Sequence, residues 1–173
     1  MTDAARDAGC GGVWEGVLGR RAVRLTVYDT IVHPTDGSSC SKRALEHAIS
    51  LAKQYDATLH VLYVVLDVPN PGPDRDAERV EELTEAGESI LGAAEERARD
   101  AHLDQVSTHL RRGPAPERIL ELVEDRDADL VVMGTHGRSG VDRFLLGSTT
   151  ERVLRRGSVP VPVLAVESLG RGE

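Results

Sequence analysis

The chain has no run of 18 or more apolar residues, the length a helix needs to cross a hydrocarbon core, which excludes a helical membrane anchor within its 173 residues. Its first residues lack the basic start and apolar stretch of a secretory leader, so a soluble, cytoplasmic protein is expected. Cysteine is scarce: Cys10 lies in a glycine-rich stretch and Cys40 beside a turn, without metal-ligand spacing, which argues against a zinc site or a structural disulfide. Lysine is scarce too, with Lys42 and Lys53 the only two among 21 basic residues, a bias found on acidic surfaces of salt-loving organisms and in arginine-favouring genomes. A net charge of −8 provides no basic footprint, so neither nucleic acid nor an anionic membrane is an expected partner. No Gly-x4-Gly-Lys-Ser/Thr motif occurs, which excludes a P-loop NTPase.

What is present is an alternation of short apolar runs and amphipathic stretches. Residues 1–26 follow neither a period of 2 nor one of 3.6 and are read as a poorly ordered extension, residues 27–167 as one domain, and residues 168–173 as a tail. Without apolar periodicity the extension cannot offset an ordering entropy of roughly 1–2 kcal/mol per residue. Strands are predicted at Thr30 to His33, Thr58 to Val65, about Val106 to Leu110, Leu130 to Met133 and Val161 to Val166. Between them, one helix runs from a Ser38 or Ser39 cap to about Tyr55, with Leu45, Ala48, Ile49 and Ala52 on one face. A second spans about Ala77 to Ala101 with an acidic solvated face, a third about Ala115 to Glu124, and a fourth about Thr149 to Arg156. The connection carrying Pro69, Pro71 and Pro73 is expected to be neither helix nor strand. Strands alternating with helices predict an α/β fold with a mostly parallel, doubly wound sheet and helices on both faces.

The most informative segment is Leu130 to Ser148, where a buried strand stops at a glycine and a glycine-rich loop leads to a helix start. Gly134, Gly137, Gly140 and Gly147 permit positive φ and close backbone approach, and the amides and partial positive charge of the following helix favour an anion, phosphate above all. Ser148-Thr149-Thr150-Glu151 has the spacing of a capping box, so a surface loop with a serine cap accounts for the same residues. Asp36 has a similar local alternative as an Asx-turn residue bonding Gly37 or Ser38. His136 is read as a solvent-facing loop residue, because no serine or cysteine nucleophile with its own signature accompanies it. His33, His47, His60, His102 and His109 form no metal-ligand pattern.

The spacing Gly134-x2-Gly137-x9-Gly147-Ser148 resembles the nucleotide-binding signature of the universal stress protein family, in its ATP-binding, UspA-like form. Tyr28 to Ser38 is similar to that family's first strand and following turn, and Thr58 to Val65 to its second strand, so the resemblance covers about Val27 to Val166. It implies a five-stranded parallel sheet of order 3-2-1-4-5, similar to the adenine nucleotide alpha hydrolases, with its switch point between strands one and four. Ligands bind at such points, beyond the carboxyl ends of the strands.

Carried over residue by residue, the resemblance implies that Pro34, Thr35, Asp36 and Val64 hold base and ribose, the Asp36 carboxylate accepting a ribose hydroxyl. Met133, Gly134, Thr135, His136, Gly137, Arg138, Ser139 and Gly140 then wrap the phosphates, Arg138 adding a charge-assisted contact, while Gly147, Ser148, Thr149 and Thr150 meet them from the helix start. The implied cofactor is ATP, with Mg2+ or Mn2+ bridging its phosphates and no dedicated metal site. The implied role is a regulatory or protective module in stress response, homodimeric through the strand at Val161 to Val166, with no catalytic residues. Slow ATP hydrolysis at the same site, or a member working through protein contacts without nucleotide, are the alternatives.

Overall fold

The computed structural model of the chain describes residues 27–66, 73–135 and 146–164, and every structural statement below concerns these. The elements, in chain order, are β1 (Thr30–Thr35), α1 (Ser39–Tyr55), β2 (Thr58–Val65), α2 (Pro73–Asp100), β3 (Val106–Arg112), α3 (Ala115–Asp125), β4 (Leu130–Val131), β5 (Met133–Gly134), α4 (Ser148–Arg156) and β6 (Val163–Leu164).

β1 lies at the centre, parallel to β2 on one side and to β4 on the other, with β3 outside β2. One residue after β4, β5 pairs in parallel with β6. The amides of Val131 and Met133 donate to the carbonyls of Pro160 and Pro162, whereas that of Val132 donates to Val32. Residues 130–134 are therefore bonded to β1 on one side and to the β6 segment on the other. Counted as one strand, they complete the order 3-2-1-4-5.

Both faces of this sheet are covered, and the alternation of side chains along each strand divides the core in two. Ile31, Leu59, Val61, Leu130 and Val132 pack with Ala44, Ala48 and Ala52 of α1 and Leu91 and Ala98 of α2. On the other face Val32, Leu62, Val131 and Met133 meet Ile119 and Leu122 of α3 and Val153 of α4. Full burial of one such aliphatic side chain contributes about 1.5–3 kcal/mol, so the unbroken apolar runs of the strands drive the layering.

α1 forms where its periodicity requires: Leu45, Ala48, Ile49 and Ala52 are all buried. The Ser38 hydroxyl accepts the Ser41 amide at 3.2 Å as its N-cap, and Asp56, at φ 54°, ends it in the left-handed region. The Asp129 carboxylate accepts the amides of Asp29 and Thr30 at 2.8 and 2.9 Å and so fastens the start of β1 to the turn before β4. Most of the acidic face of α2 is solvent-exposed, as its charge pattern predicts, with Glu95 half-buried.

Several boundaries differ from the expected ones. β1 does not stop at His33 but continues through Pro34 to Thr35. α2 begins at Pro73 rather than near Ala77, because a proline at the first helical position loses no hydrogen bond and has φ already suited to a helix. α4 begins at Ser148, with Gly147 at the cap position and no side-chain cap. β3 extends to Arg112, and β6 begins at Val163 rather than Val161, while residues 165 and 166 of that expected strand lie outside the described residues. The N-terminal extension of residues 1–26 and the tail of residues 168–173 lie outside the described residues.

Candidate functional site

A cavity of about 430 Å³ opens beyond the carboxyl ends of β1, β2 and β5, where the chain turns to opposite sides of the sheet after β1 and β5. Pro34, Thr35 and Asp36 from the end of β1 form one wall, Met133 and Gly134 of β5 the facing wall, and Gly147, Ser148, Thr149 and Thr150 the rim at α4. Val64 at the end of β2 completes the expected set. Of the predicted site residues these ten line one space, while His136, Gly137, Arg138, Ser139 and Gly140 lie outside the described residues.

Thr135 does not line the cavity but closes the neck of the loop, its carbonyl accepting the Gly147 amide at 2.8 Å. Beside it the Thr150 hydroxyl donates to the Gly134 carbonyl at 3.0 Å. These two bonds fix the start of α4 against the end of β5, and the second commits the only O–H of Thr150 to the scaffold. The amides of Ser148, Thr149 and Thr150 fall in the first turn of a helix, where no intrahelical acceptor exists, at the cavity rim. With them goes the partial positive charge of the helix start.

Two glycines act differently from the sequence reading. Gly147 has φ −60° and ψ 144°, a conformation any residue adopts, and Gly134 is not among the described glycines with positive φ, which are Gly37 and Gly113. Gly134 is required by closeness instead: a Cβ there would lie 2.8 Å from Cys40 Sγ and 3.2 Å from the Cys40 carbonyl carbon. The first turn of α1 is thereby seated directly against the end of β5. Ser148 is likewise not the helix cap, so the capping-box reading fails; the turn is entered through Gly147, and the Glu151 amide bonds the Gly147 carbonyl at 2.9 Å.

Asp36 makes its Asx turn, Oδ1 accepting the Ser38 amide at 3.0 Å, and lines the cavity as well. The two readings of this residue are compatible. Its neighbour Thr35 accepts the Gly37 amide at 3.2 Å and shares a short hydrogen bond with the hydroxyl of Ser41. Ser41, in the first turn of α1, lines the cavity and was not singled out in the sequence. Neither were the apolar lining residues Leu62, Tyr63, Leu66, Leu83, Ala115 and Ile119, whose signal is only that of an ordinary core face. The ring of Tyr63 is held close to α2 because residue 87 is glycine; a Cβ there would meet the ring at 2.6 Å.

The lining of the pocket combines apolar side chains, which suit a flat ring, with the Asp36 carboxylate and the first turn of α4. Asp36 is the only carboxylate on the described wall, and no group of three or more His, Cys, Asp or Glu side chains is placed to hold a metal among the described residues.

Away from the cavity, near the start of β2 and on the α3 side, His60 Nδ1 and His109 Nε2 lie 3.0 Å apart. Burial, then His109, then Arg126 push His60 down to about 4. Burial, Arg126 and Arg111 push His109 down too. This pairing was invisible in the sequence, where a whole helix separates the two residues.

The model of the universal stress protein family matches residues 27–166, which include every element described here. The chain belongs to the universal stress protein family. A universal stress protein of Methanocaldococcus jannaschii is 38% identical over 141 residues, covering 80% of this chain and 82% of its own. Among solved structures, the universal stress protein UspA of Lactobacillus plantarum superposes with a TM-score of 0.71 at 26% identity, covering 79% of this chain and 97% of that one. A universal stress protein solved in complex with cAMP superposes at 0.60 with 28% identity, over 79% of this chain and 96% of its own. As a universal stress protein domain the chain thus has the fold that the strand–helix alternation and the loop spacing implied.

Proposed function

We propose that this universal stress protein binds ATP, or a closely related adenine nucleotide, in the crevice between β1 and β5, and acts as a regulatory or protective module in which binding is the main event. The observation that carries this reading is the pairing, across one cavity, of Asp36 with the first-turn amides of α4. Base and ribose would lie towards Val64 and Asp36, and phosphates towards Ser148 and Thr149. The relative solved in complex with cAMP lends support, since cAMP is an adenine nucleotide. Nucleotide released by denaturing the purified protein and separated by chromatography is expected to be an adenine nucleotide in near-stoichiometric amount. A protein that carries none and binds none on addition would contradict the reading. A turnover above about 1 s⁻¹ would place the protein among ordinary enzymes instead.

The same reading extends to a homodimer through β6. Among the described residues β6 pairs with β5 on one side only, and an apolar edge of that kind invites pairing unless it is covered. Pro162 limits the number of ladder bonds such an edge can make. Light scattering at micromolar concentration is expected to give twice the chain mass in both low and high salt; a monomer mass in both would contradict the dimer.

A further inference from the structure

The ladder between β1 and β4 pairs Ile31 with Leu130 and Val32 with Val131, so the next pair in register is His33 with Val132. In a parallel ladder that pair needs two bonds: the Val132 amide to the Val32 carbonyl, and the amide of residue 34 to the Val132 carbonyl. The first is present at 2.9 Å. The second cannot form, because residue 34 is proline and has no N–H. This is where strand pairing breaks between β4 and β5, at a fully buried residue. An orphaned carbonyl there would be costly.

The imidazole of His33 supplies what the proline lacks. Its Nδ1 lies 2.8 Å from the Val132 carbonyl oxygen, and because a carbonyl only accepts, Nδ1 carries the proton. The ring is fully buried, and its Nε2 has no hydrogen-bond partner among the described residues, so that bond to Val132 is the ring's one polar anchor. One residue further along each strand stand the two walls of the cavity, Pro34 to Asp36 and Met133 to Gly134.

We infer that His33 is a positioning residue of the cavity: its Nδ1–H replaces the ladder hydrogen bond that Pro34 cannot donate, and so sets the separation of the β1 wall from the β5 wall. This rests on the reading of the cavity as a nucleotide site. A proline is thereby admitted at the mouth of a central strand, a place normally closed to it, because a side chain stands in for the missing main-chain donor.

The test is a double-mutant cycle on the full chain, read by ATP titration and, separately, by amide exchange of Met133, Gly134 and Thr135 in nucleotide-free protein. His33→Leu removes the donor and is expected to weaken ATP about tenfold and to speed exchange at those three amides. His33→Asn, whose amide nitrogen falls close to the position of Nδ1, is expected to stay within about threefold of wild type. Pro34→Ala restores the main-chain donor, so His33→Leu made in the Pro34→Ala background is expected to cost less than threefold relative to Pro34→Ala alone. Equal losses in both backgrounds, an Asn variant as weak as the Leu variant, or an unaffected Leu variant would overturn the inference. Should wild type fail to bind ATP, the nucleotide reading falls while the exchange data still decide the role of His33.

Discussion

Gly134→Val is expected to lower the melting temperature by roughly 5–10 °C and to weaken ATP binding at least tenfold, the largest combined loss anticipated from one substitution in the site. The cause is contact, not backbone conformation. The first carbon of any side chain at 134 would lie 2.8 Å from Cys40 Sγ and 3.2 and 3.3 Å from the Cys40 carbonyl carbon and Cβ, and the end of β5 has no room to retreat. Met133 is buried beneath it and the Gly134 carbonyl is tied to Thr150. Forcing extra atoms into a packed core costs about 1–3 kcal/mol, and about 2–4 °C is lost per kcal/mol in a chain of this size. Relief by moving α1 would pull the Asp36 wall away from the α4 rim, which is why affinity falls with stability. Cys40→Ala removes the 2.8 Å contact and leaves the others, so it should restore only part of the melting temperature to Gly134→Ala. Full-strength ATP binding and an unchanged melting temperature in Gly134→Val would show that the close seat of α1 on β5 is not real.

Acidification from pH 7 to pH 5 is expected to cost this protein at least about 2 kcal/mol of folding free energy, a large share of a typical 5–15 kcal/mol. Burial pushes His33 down from the ordinary 6.5 to about 4, only partly opposed by its bond to Val132 and by Asp36. His60 is pushed down to about 4 and His109 falls with it. A lowered histidine pKa means that the fold favours the neutral ring, so unfolding takes up protons between pH 6.5 and pH 4. The stability is full above 6.5 and is lost as pH falls through that window. Each unit is worth about 1.4 kcal/mol, so by pH 5 His33 loses about 2 kcal/mol, and the His60–His109 pair adds to the loss in the same direction. Urea midpoints at pH 7, 6 and 5 should decline steadily, and His33→Asn should remove part of the slope. A flat profile from pH 7 to 5 would contradict the neutral buried rings.

Both expectations concern interactions the sequence did not reveal, and the reason is physical. What was legible is what a single element records about itself: the apolar face of α1, the serine cap at 38, the buried run at 130–133, and the glycine spacing that pointed to a strand–loop–helix junction. The sheet order was legible only through the family resemblance, since periodicity carries no information on which strands are neighbours. What was not legible depends on two segments meeting. Cys40 explains Gly134 only once α1 rests on β5, and His60 reaches His109 only once β2 and β3 are in register. His33 similarly finds Val132 only because Pro34 left a carbonyl unpaired. The capping box failed for a related reason: Ser-x-x-Glu also fits a helix entered one residue earlier, and tertiary bonds from Gly147 and Thr150 decide between the two starts. Within the candidate site, Asp36 and the α4 rim were legible, whereas Ser41, Tyr63 and Leu83 were indistinguishable from capping and core residues until the cavity was formed around them.

The most direct test of the central claim is calorimetric titration of nucleotide-stripped protein with ATP and with inorganic triphosphate, in wild type and in Asp36→Ala. One ATP per chain is expected in wild type, and Asp36→Ala, still folded by circular dichroism, should weaken ATP by about tenfold, or 1.4 kcal/mol, and triphosphate by much less. Equal ATP affinity in the two proteins, or no ATP binding by wild type, would contradict the assignment of the β1–β5 crevice as an adenine nucleotide site.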